Sequence, residues 1–481
     1  MAAHGVTAES YLERELKFDV PAGFATPDDL GGLAAATEAH AQRLRSEYYD
    51  TADFALRAAA VTLRRRTGDA DQGWQLKIPR PPAREELRLP LGPEGEPVPA
   101  EFDLLLQGIR RGQPLRPVAV LTTDRTVTGL LDAGGATLAE LADDSVHAAT
   151  VGDTVTASAW RELEIELGSG DEELLQQLAE LVRGHGAEPA TAASKLARAL
   201  GDGTVAPADP LTAYLGEQQR MLLAGDLALR RGDASVIHKT RVASRRFRST
   251  LRTFGPLFDE AVRTRLDAEL RWYAALLGDV RDRQVLDRRL LSMLDELDDT
   301  LVLGPVRARI EHELSREQGE HWAGVQQALT GERYLVMLTE VNDFILSLPA
   351  ETGSHRKLLT LMRRADRKVT GRLRAAVASD DPALMHRTRK AAKRARYAGE
   401  AMVPLAGRRA AKQARRNEKL QELFGEFQDS LVSAELLKRL GLIAGTTPGE
   451  NGFTYGLLYQ SERDRAAAIR RRAHRIARKR G

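Results

Sequence analysis

The sequence predicts two domains, an α+β domain built on an antiparallel sheet and an all-α domain that follows it. The charge distribution is the first reason: residues 1–205 carry 20 Lys+Arg and 33 Asp+Glu, net −13, and residues 206–481 carry 51 and 35, net +16. Strand-like patterns stop where helical patterns begin, and the helical part contains an internal repeat. We therefore predict domains at 8–204 and 207–481, the basic one facing a polyanion.

Composition narrows the class of protein. With 481 residues, 42% of them hydrophobic, the chain can bury sizeable cores. It has no cysteine, so any metal must bind carboxylates or imidazoles rather than thiolates. The first residues lack the apolar segment of a signal peptide, and no uninterrupted apolar run approaches the ~18 residues that span a bilayer. We expect a cytoplasmic protein with no membrane partner.

Alternating and β-branched runs in the first half predict the sheet. Predicted strands lie at 11–18, 46–50, 60–67, 73–80, 83–91, 117–128, 136–142 and 159–167. Two helical patterns, at 28–45 and 171–183, interrupt the strands and are expected to pack on the apolar face of the sheet.

The second half contains long amphipathic stretches rich in Leu, Ala and Arg. Predicted helices lie at 211–231, 234–253, 259–277, 283–297, 305–329, 356–378, 382–402 and 409–424. HKTRVASRRFR at 238–248 recurs as HRTRKAAKRAR at 386–396, and LLGDVRD at 276–282 recurs as LFGEFQD at 423–429. The two offsets, 148 and 147 residues, are nearly equal, so we predict two copies of one helical unit related by pseudo-two-fold symmetry.

Charged residues alternate with apolar ones in several predicted strands, so that one face of each strand is charged. These faces carry Glu13, Glu15 and Lys17, then Arg64 and Arg66, then Arg84, Glu86 and Arg88, and finally Glu162, Glu164 and Glu166. Carboxylates concentrate on the first and last strands and cations on the middle ones, whereas an ordinary half-exposed sheet would mix them. If the sheet closes with these faces inward, it forms a tunnel with an acidic wall for a divalent cation and a basic wall for phosphates.

The first half resembles the CYTH, or triphosphate tunnel metalloenzyme, family over roughly residues 8–202. The resemblance is carried by Glu13-x-Glu15-x-Lys17, YYDT at 48–51, TLRRR at 62–66, WQLKIP at 74–79, ELEIEL at 162–167 and SKLARAL at 194–200. It implies an eight-stranded antiparallel β-barrel or tunnel with flanking helices, in which Mg²⁺ or Mn²⁺ assists hydrolysis of a triphosphate. The chain has no Gly-x-x-x-x-Gly-Lys-Ser/Thr loop, which argues against a P-loop hydrolase.

The same resemblance implies roles for individual residues. The implied catalytic set is Glu13, Glu15, Lys17, Glu162 and Glu164. The implied metal ligands are the four glutamates of this catalytic set, together with Glu166 and either Asp143 or Asp144. The sequence does not choose between the two aspartates. The implied phosphate-binding set is Lys17, Arg64, Arg66, Lys77, Arg84, Arg125 and Lys195, with Glu86 at a further acidic position.

Two basic stripes lie on the repeated helices, because residues at i, i+3, i+7, i+10 and i+14 share a helix face. The stripes are His238, Arg241, Arg245, Arg248 and Arg252, and their counterpart His386, Arg389, Lys393 and Arg396. Their repetition argues against an ordinary solvated face. Neighbouring cations are expected to disfavour protonation of each histidine, and Asp282 and Asp429 are expected to pair with arginine or to cap a helix.

The stripes and the second repeated motif resemble the CHAD domain over roughly residues 208–478, although Gln428 stands where the first copy has Arg281. The resemblance implies an all-α domain of two pseudo-two-fold related four-helix units whose basic surface binds inorganic polyphosphate. That surface would comprise both stripes, with Lys412, Arg415, Arg416 and Lys419 beside them. Association with polyphosphate granules is a further expectation.

The leading interpretation is metal-dependent hydrolysis of inorganic triphosphate or polyphosphate ends in the tunnel, with polyphosphate bound by the helical domain. Two alternatives stay open: a non-catalytic polyphosphate-binding protein, and a triphosphatase or cyclase acting on an organic triphosphate such as thiamine triphosphate or a nucleotide. A nucleic-acid partner is disfavoured because the stripes lack the aromatic residues on which single strands stack. The sequence does not predict the oligomeric state.

Overall fold

The chain forms two compact units, residues 1–205 and 206–481. The computed structural model describes residues 9–27, 30, 32–68, 72–80, 83–93, 95–152, 155–201, 209–379 and 381–480, and within these ranges it describes side chains from Arg14 to Arg478. Among the helices of this part of the chain, none combines the length and the apolar character needed to cross a membrane.

Ten strands of the described chain form one antiparallel sheet in the first unit. They are β1 (Glu9–Glu13), β2 (Glu15–Asp19), β3 (Ala36–Asp50), β4 (Thr62–Thr67), β5 (Gly73–Arg80), β6 (Ala83–Leu89), β7 (Arg116–Leu131), β8 (Thr137–Thr150), β9 (Ala157–Leu167) and β10 (Glu188–Pro189). Their order is β1-β6-β5-β4-β3-β7-β8-β9-β2-β10. Only Arg14 separates β1, which pairs with β6, from β2, which pairs with β9. The sheet therefore closes on itself as a tunnel, with β1 and β2 acting as one strand.

A helix covers the outer face of β2, β8 and β9. It is α3 (Glu172–Gly184), and it begins where Asp171 accepts a hydrogen bond from the backbone N–H of Leu174 at 2.9 Å. The core beneath it contains Phe18, Leu130, Leu141, Leu163, Ile165, Leu175, Leu178 and Val182. Because the apolar residues of these strands face outward into this core, the alternating charged residues face the tunnel.

Three shorter helices complete the first unit: α1 (Ala55–Ala58), α2 (Ala100–Arg110) and α4 (Lys195–Leu200). Asp50 of the YYDT segment holds the start of α1 by accepting hydrogen bonds from the backbone N–H groups of Leu56 at 2.8 Å and Arg57 at 3.0 Å. Ser194 begins α4 by accepting one from Ala197 at 3.1 Å. Lys195 is thereby fixed as the first residue of α4.

The predicted helix at 28–45 is wrong, because residues 36–50 form strand β3. Residues 28, 29 and 31 of that prediction lie outside the described chain. The run ATEAHAQRLR is rich in good helix formers, but it pairs with β7 along its whole length and with β4 at its end. The continuous ladder with β7 outweighs a propensity of a few tenths of a kcal/mol per residue.

Nine helices of the described chain build the second unit. They are α5 (Pro210–Arg230), α6 (Ile237–Thr253), α7 (Glu260–Asp295), α8 (Val306–Leu329), α9 (Glu332–Leu346), α10 (His355–Ser379), α11 (Pro382–Ala401), α12 (Val403–Ala444) and α13 (Phe453–Arg480). The helices predicted at 259–277 and 283–297 are one helix, α7. The intervening polar stretch contains no proline, and Val280 within it is buried, so nothing ends the helix there. Helix α12 is interrupted at Gly407, where φ is 47°.

Helices α5 to α8 form one four-helix unit, and α10 to α13 form the other. Helix α9 connects them in sequence and packs against α5, α7 and α8. The repeat-related helices meet in pairs, α6 against α11 and α7 against α12. The units are also joined by Arg289 of α7, which donates hydrogen bonds to both carboxylate oxygens of Glu462 of α13 at 2.5 and 2.6 Å. Glu462 is fully buried, so this pair fixes the two units against each other.

Candidate functional sites

The tunnel of the first unit encloses a cavity of about 70 Å³. Charged and hydroxyl side chains from seven strands and from the start of α4 line it. They are Glu15, Lys17, Tyr48, Thr62, Arg64, Arg66, Lys77, Arg84, Glu86, Arg88, Arg125, Glu164, Glu166, Ser194 and Lys195. The carboxylates Glu15, Glu164 and Glu166 come from the adjacent strands β2 and β9, whereas most cations come from β4, β5 and β6.

Strand register places charged residues face to face. Lys17 stands opposite Glu164, a pair of opposite charges, whereas Glu15 stands opposite Glu166, a pair of carboxylates. Lys77 of β5 stands opposite Glu86 of β6, with its ammonium nitrogen 3.0 Å from the carboxylate, and Glu86 is fully buried. Residues directly opposite on one face of an antiparallel pair have Cβ atoms about 5 Å apart, so these contacts follow from the register.

A carboxylate cluster lies at the acidic wall. Asp144, Glu162 and Glu164 each offer an oxygen, and these atoms lie within 4.8 Å of one another. The ammonium nitrogen of Lys195 lies among them, 2.8 Å from Asp144, 2.6 Å from Glu162 and 2.8 Å from Glu164. Hard oxygen donors in such a group suit Mg²⁺ or Mn²⁺. The ammonium group of Lys195 lies where these oxygens converge, which is the place that a bound metal ion would take.

Two further cations neutralise the same cluster. Arg125 donates from Nε and Nη2 to the two oxygens of Asp144 at 2.7 Å, and from Nη2 to Glu164 at 2.7 Å. Lys17 donates to Glu15 at 2.8 Å and also contacts Glu164. Burial raises the pKa of Glu164, but Lys17, Lys195 and Arg125 outweigh it and hold that pKa well below its usual value. Glu164 is therefore ionised, as a metal ligand must be.

The structure separates the two aspartates between which the sequence did not choose. Asp144 is fully buried in the cluster, whereas Asp143 points to the other face of β8 and accepts a hydrogen bond from Arg161 at 2.7 Å. Period-two alternation along the strand makes these positions mutually exclusive. Glu13 ends β1 opposite Arg84, but its side chain lies outside the described part of the chain.

The lining of the cavity contains every predicted phosphate-binding cation. Arg64 donates to Gln75 at 2.6 Å and to the hydroxyl of Tyr48 at 3.4 Å, and both Arg64 and Arg66 are buried. The sequence pattern put Arg88 on the inward charged face of its strand but assigned no role to Arg88 or Tyr48, and both line the cavity. Tyr48 lies in the predicted strand at 46–50, where no regular alternation of charge marks the inner face.

The second unit contains a basic groove of about 650 Å³ between the repeat-related helices. Its charged lining is Arg241, Arg245, Arg248, Arg252, Arg271, Lys390, Lys393 and Arg394. Five of these eight belong to the predicted stripes. Lys390 lies four residues after His386, and Arg394 lies four residues after Lys390, so including i+4 positions in the second stripe would have found both. Arg271 lies on α7, outside the repeated motifs.

The groove concentrates more positive charge than its neighbouring carboxylates, Asp267 and Asp282, neutralise. Burial together with Arg245, Arg389 and Arg241 lowers the pKa of Lys393 to about 6. Burial and neighbouring cations likewise lower the pKa of His238 and of His386. Because like charges at short distance repel, such a site gains stability when a polyanion enters.

Other predicted groove residues lie elsewhere or meet carboxylates. Arg241 donates to Asp282 at 2.8 Å. Arg396 pairs with Glu400 at 2.7 Å and Glu418 at 2.9 Å instead of lining the groove, and Arg416 pairs with Asp366. The remaining predicted cations on α12, namely Lys412, Arg415 and Lys419, are exposed.

A closed sheet around a cavity with carboxylates on one wall and cations on the other, followed by a basic helical bundle, defines a triphosphate-tunnel protein with an added helical domain. The CYTH domain family matches residues 12–199, and the CHAD domain family matches residues 213–438. The chain belongs to the proteins in which a CYTH domain is fused to a CHAD domain.

Relatives and solved structures extend this comparison. The chain is 36% identical to the uncharacterized protein Rv2226 of Mycobacterium tuberculosis, over 98% of this chain and 96% of the relative. Among solved structures, PptA from Streptomyces chartreusis is 21% identical with a TM-score of 0.47, covering 56% of this chain and 98% of that one. The CHAD domain from the plant Ricinus communis is 25% identical with a TM-score of 0.44, covering 55% and 90%.

Proposed function

We propose that the CYTH domain hydrolyses the phosphoanhydride bonds of inorganic triphosphate or of polyphosphate ends with the help of a divalent cation, and that the CHAD domain binds polyphosphate. The proposed hydrolysis rests on one observation of the tunnel. A single cavity brings the carboxylates of β2 and β9 opposite the guanidinium and ammonium groups of β4 to β6. Phosphoryl transfer depends on such positioned charge more than on covalent help from the protein.

The cavity supports an inorganic substrate over an organic one. It is about 70 Å³, and Tyr48 is the sole aromatic side chain in the described lining. A nucleobase or a thiamine ring is usually bound by an apolar or stacking surface, which these lining residues do not offer. Cations distributed around a narrow cavity instead match a chain that carries charge on every phosphate unit.

The residues at the acidic wall fit a divalent cation, because Asp144, Glu162 and Glu164 converge within 4.8 Å. Glu15, Glu166 and Glu13, whose side chain lies outside the described chain, are the further candidates. A bound Mg²⁺ or Mn²⁺ would supply Lewis acidity toward phosphate oxygens. The protein's own contribution is to hold the phosphates: Lys17, Arg125 and Lys195 lie beside the cluster, and Arg64, Arg66 and Lys77 face it across the cavity.

Hydrolysis is tested by measuring phosphate release from tripolyphosphate with Mg²⁺ or Mn²⁺. The double substitution Glu162→Gln and Glu164→Gln keeps side-chain shape and removes ligand charge, so we expect activity to be lost while the far-ultraviolet circular dichroism spectrum is unchanged. Asp143→Asn is the matched control, since Asp143 lies on the other face of β8 and should leave turnover intact. Unchanged turnover in the double variant would contradict the tunnel as the active site. Equal turnover of a nucleoside or thiamine triphosphate would favour an organic substrate.

The groove supports polyphosphate binding by the second domain. Among the described residues, no carboxylate lies within 4.0 Å of Arg245, Lys393 or Arg394, so these cations are available to a ligand. Binding through them should release counterions, and affinity should fall steeply with salt. We expect Arg245→Ala with Lys393→Ala to weaken polyphosphate binding strongly. Wild-type affinity in that variant would refute the assignment, and equal affinity for duplex DNA at the same salt would make it a general polyanion site.

A further inference from the structure

A second basic cavity, of about 240 Å³, adjoins the groove. It is walled by α10, α11 and the end of α6, and its floor is apolar, with Pro256 and Leu361. The cations at its edge are Arg252, Arg364, Lys368 and Arg394. Arg252 and Arg394 also line the groove, so the two cavities share a boundary.

Three cations of the second cavity, two from α10 and one from α11, have no acidic partner among the described residues. Within the described residues, no carboxylate oxygen lies within 4.0 Å of Arg364, Lys368 or Arg394. Arg372, partial burial, Arg394 and Arg364 lower the pKa of Lys368, which shows that these groups repel one another. Unbalanced charge in a concave site is the arrangement that attracts a polyanion.

The boundary between the cavities is organised by one carboxylate. Asp267 of α7 accepts hydrogen bonds from Arg252 at 2.8 and 2.5 Å, from Arg271 at 3.1 Å and from Arg248 at 3.3 Å. The side chain of Asp267 is only 11% exposed, so it binds the three guanidinium groups from the protein side of the boundary. The N–H donors that these groups do not use on Asp267 stay available to a ligand. The cation lining is therefore continuous from the groove into the second cavity.

We propose that the second cavity is a subsite for the same phosphate chain, which leaves the groove between Arg252 and Arg394 and continues along Arg364 and Lys368. This inference rests on the proposed binding of polyphosphate in the groove. A linear chain with a charge on each unit can occupy two adjoining cavities at once, whereas a short phosphate fills only one. The subsite would thus make affinity depend on chain length.

The test compares tripolyphosphate with long-chain polyphosphate on the full-length protein by titration calorimetry at several salt concentrations, in EDTA so that metal-dependent hydrolysis in the tunnel does not consume either ligand. The subsite variant is Arg364→Ala with Lys368→Ala. Arg356→Ala with Lys357→Ala is the matched control, since it removes the same charge from exposed positions at the start of the same helix. Because all four residues are exposed, helicity should be unchanged in both variants.

We expect the subsite variant to bind the long chain about tenfold more weakly and to lower the slope of log affinity against log salt by about 1, while tripolyphosphate binding stays unchanged. A subsite variant that matches the control on both ligands would overturn the inference and leave the groove intact. If the groove variant Arg245→Ala with Lys393→Ala binds the long chain like wild type, the proposed binding of polyphosphate in the groove itself fails. Equal losses for both ligands would also refute a separate subsite.

Discussion

The ammonium nitrogen of Lys195 lies 2.6 Å from a carboxylate oxygen of Glu162, inside the cluster that also contains Asp144 and Glu164. Both side chains are less than a tenth exposed. Three carboxylates and an ammonium group held together in this way stabilise one another only while all are present, because an unpaired buried charge is costly.

We therefore expect Lys195→Met to lower the free energy of unfolding by about 3 kcal/mol when EDTA removes divalent cations. Added Mg²⁺ or Mn²⁺ should raise the thermal midpoint more in this variant than in the wild type, since the ammonium group no longer competes for the carboxylates. Thermal unfolding of the full chain measures both effects. Arg43→Met, which removes an exposed cation paired with Asp124 at 3.5 Å, should change neither. A variant that melts like the wild type in EDTA would contradict this account.

Lys393 predicts a pH dependence for polyphosphate binding. Burial and three guanidinium groups lower its pKa to about 6, so Lys393 is mostly neutral at pH 7 in the free protein. A bound polyanion favours the protonated form, so binding should take up a proton and tighten as the pH falls toward 6. Calorimetry in buffers of different ionisation enthalpy measures this uptake. The Lys393→Arg variant stays charged, so it should bind polyphosphate without taking up a proton at position 393. Its difference from the wild type therefore separates the proton uptake of Lys393 from any uptake by the two histidines.

The lowered pKa of Lys393 also predicts how folding stability depends on pH. Stability should rise with pH, whereas polyphosphate binding should weaken with pH. The folded pKa of Lys393 lies below its ordinary value of 10.5, so the unfolded chain binds more protons between about pH 6 and 10.5. Stability of the ligand-free protein should therefore rise with pH across that window. Lys393→Met should flatten this rise in urea titrations at several pH values. An unchanged slope would mean that Lys393 is charged in the folded protein.

Repeat-related glycines predict a packing effect on binding. A Cβ atom at Gly278 would lie 2.8 Å from the guanidinium group of Arg241, and one at Gly425 would lie 3.2 Å from that of Arg389. Alanine gains up to about 1 kcal/mol of helix propensity, and the long arginine side chain can move away. We expect Gly278→Ala to keep the fold and weaken polyphosphate binding, and Gly425→Ala to do so less. Gly319→Ala, in an open position on α8, is the control and should leave affinity unchanged.

Asp267 predicts part of the acid stability of the CHAD domain. Burial raises its pKa, but Arg252, Arg248 and Arg271 outweigh burial and lower it below the ordinary value of 3.8. Stability from this carboxylate is thus present above about pH 4 and is lost as the pH falls through the lowered folded pKa. Asp267→Asn should destabilise the protein at pH 7 and lose less stability than the wild type on acidification. Parallel stability curves for the two proteins would refute this role.

Sequence pattern alone determined the division into a sheet domain and a helical domain, the repeat in the helical part, and the residue types of both sites. Alternation within strands and 3.6-residue periodicity within helices are local properties, so they could be read without a structure. They placed Lys17, Arg64 and Glu164 on inner faces, and Arg241 and Arg245 on one helix face.

Tertiary structure decided what local pattern could not. Residues 36–45 are good helix formers and became a strand because they pair with β7 along their whole length. Asp144 rather than Asp143 entered the cluster because strand register put it opposite Arg125 and Glu162. Arg364 and Lys368 joined the basic lining because α10 packs beside α6, which lies far earlier in the sequence and contributes Arg252 to the same cavity. Pairing, register and helix packing are non-local interactions, and only the folded chain determines which side chains they bring together.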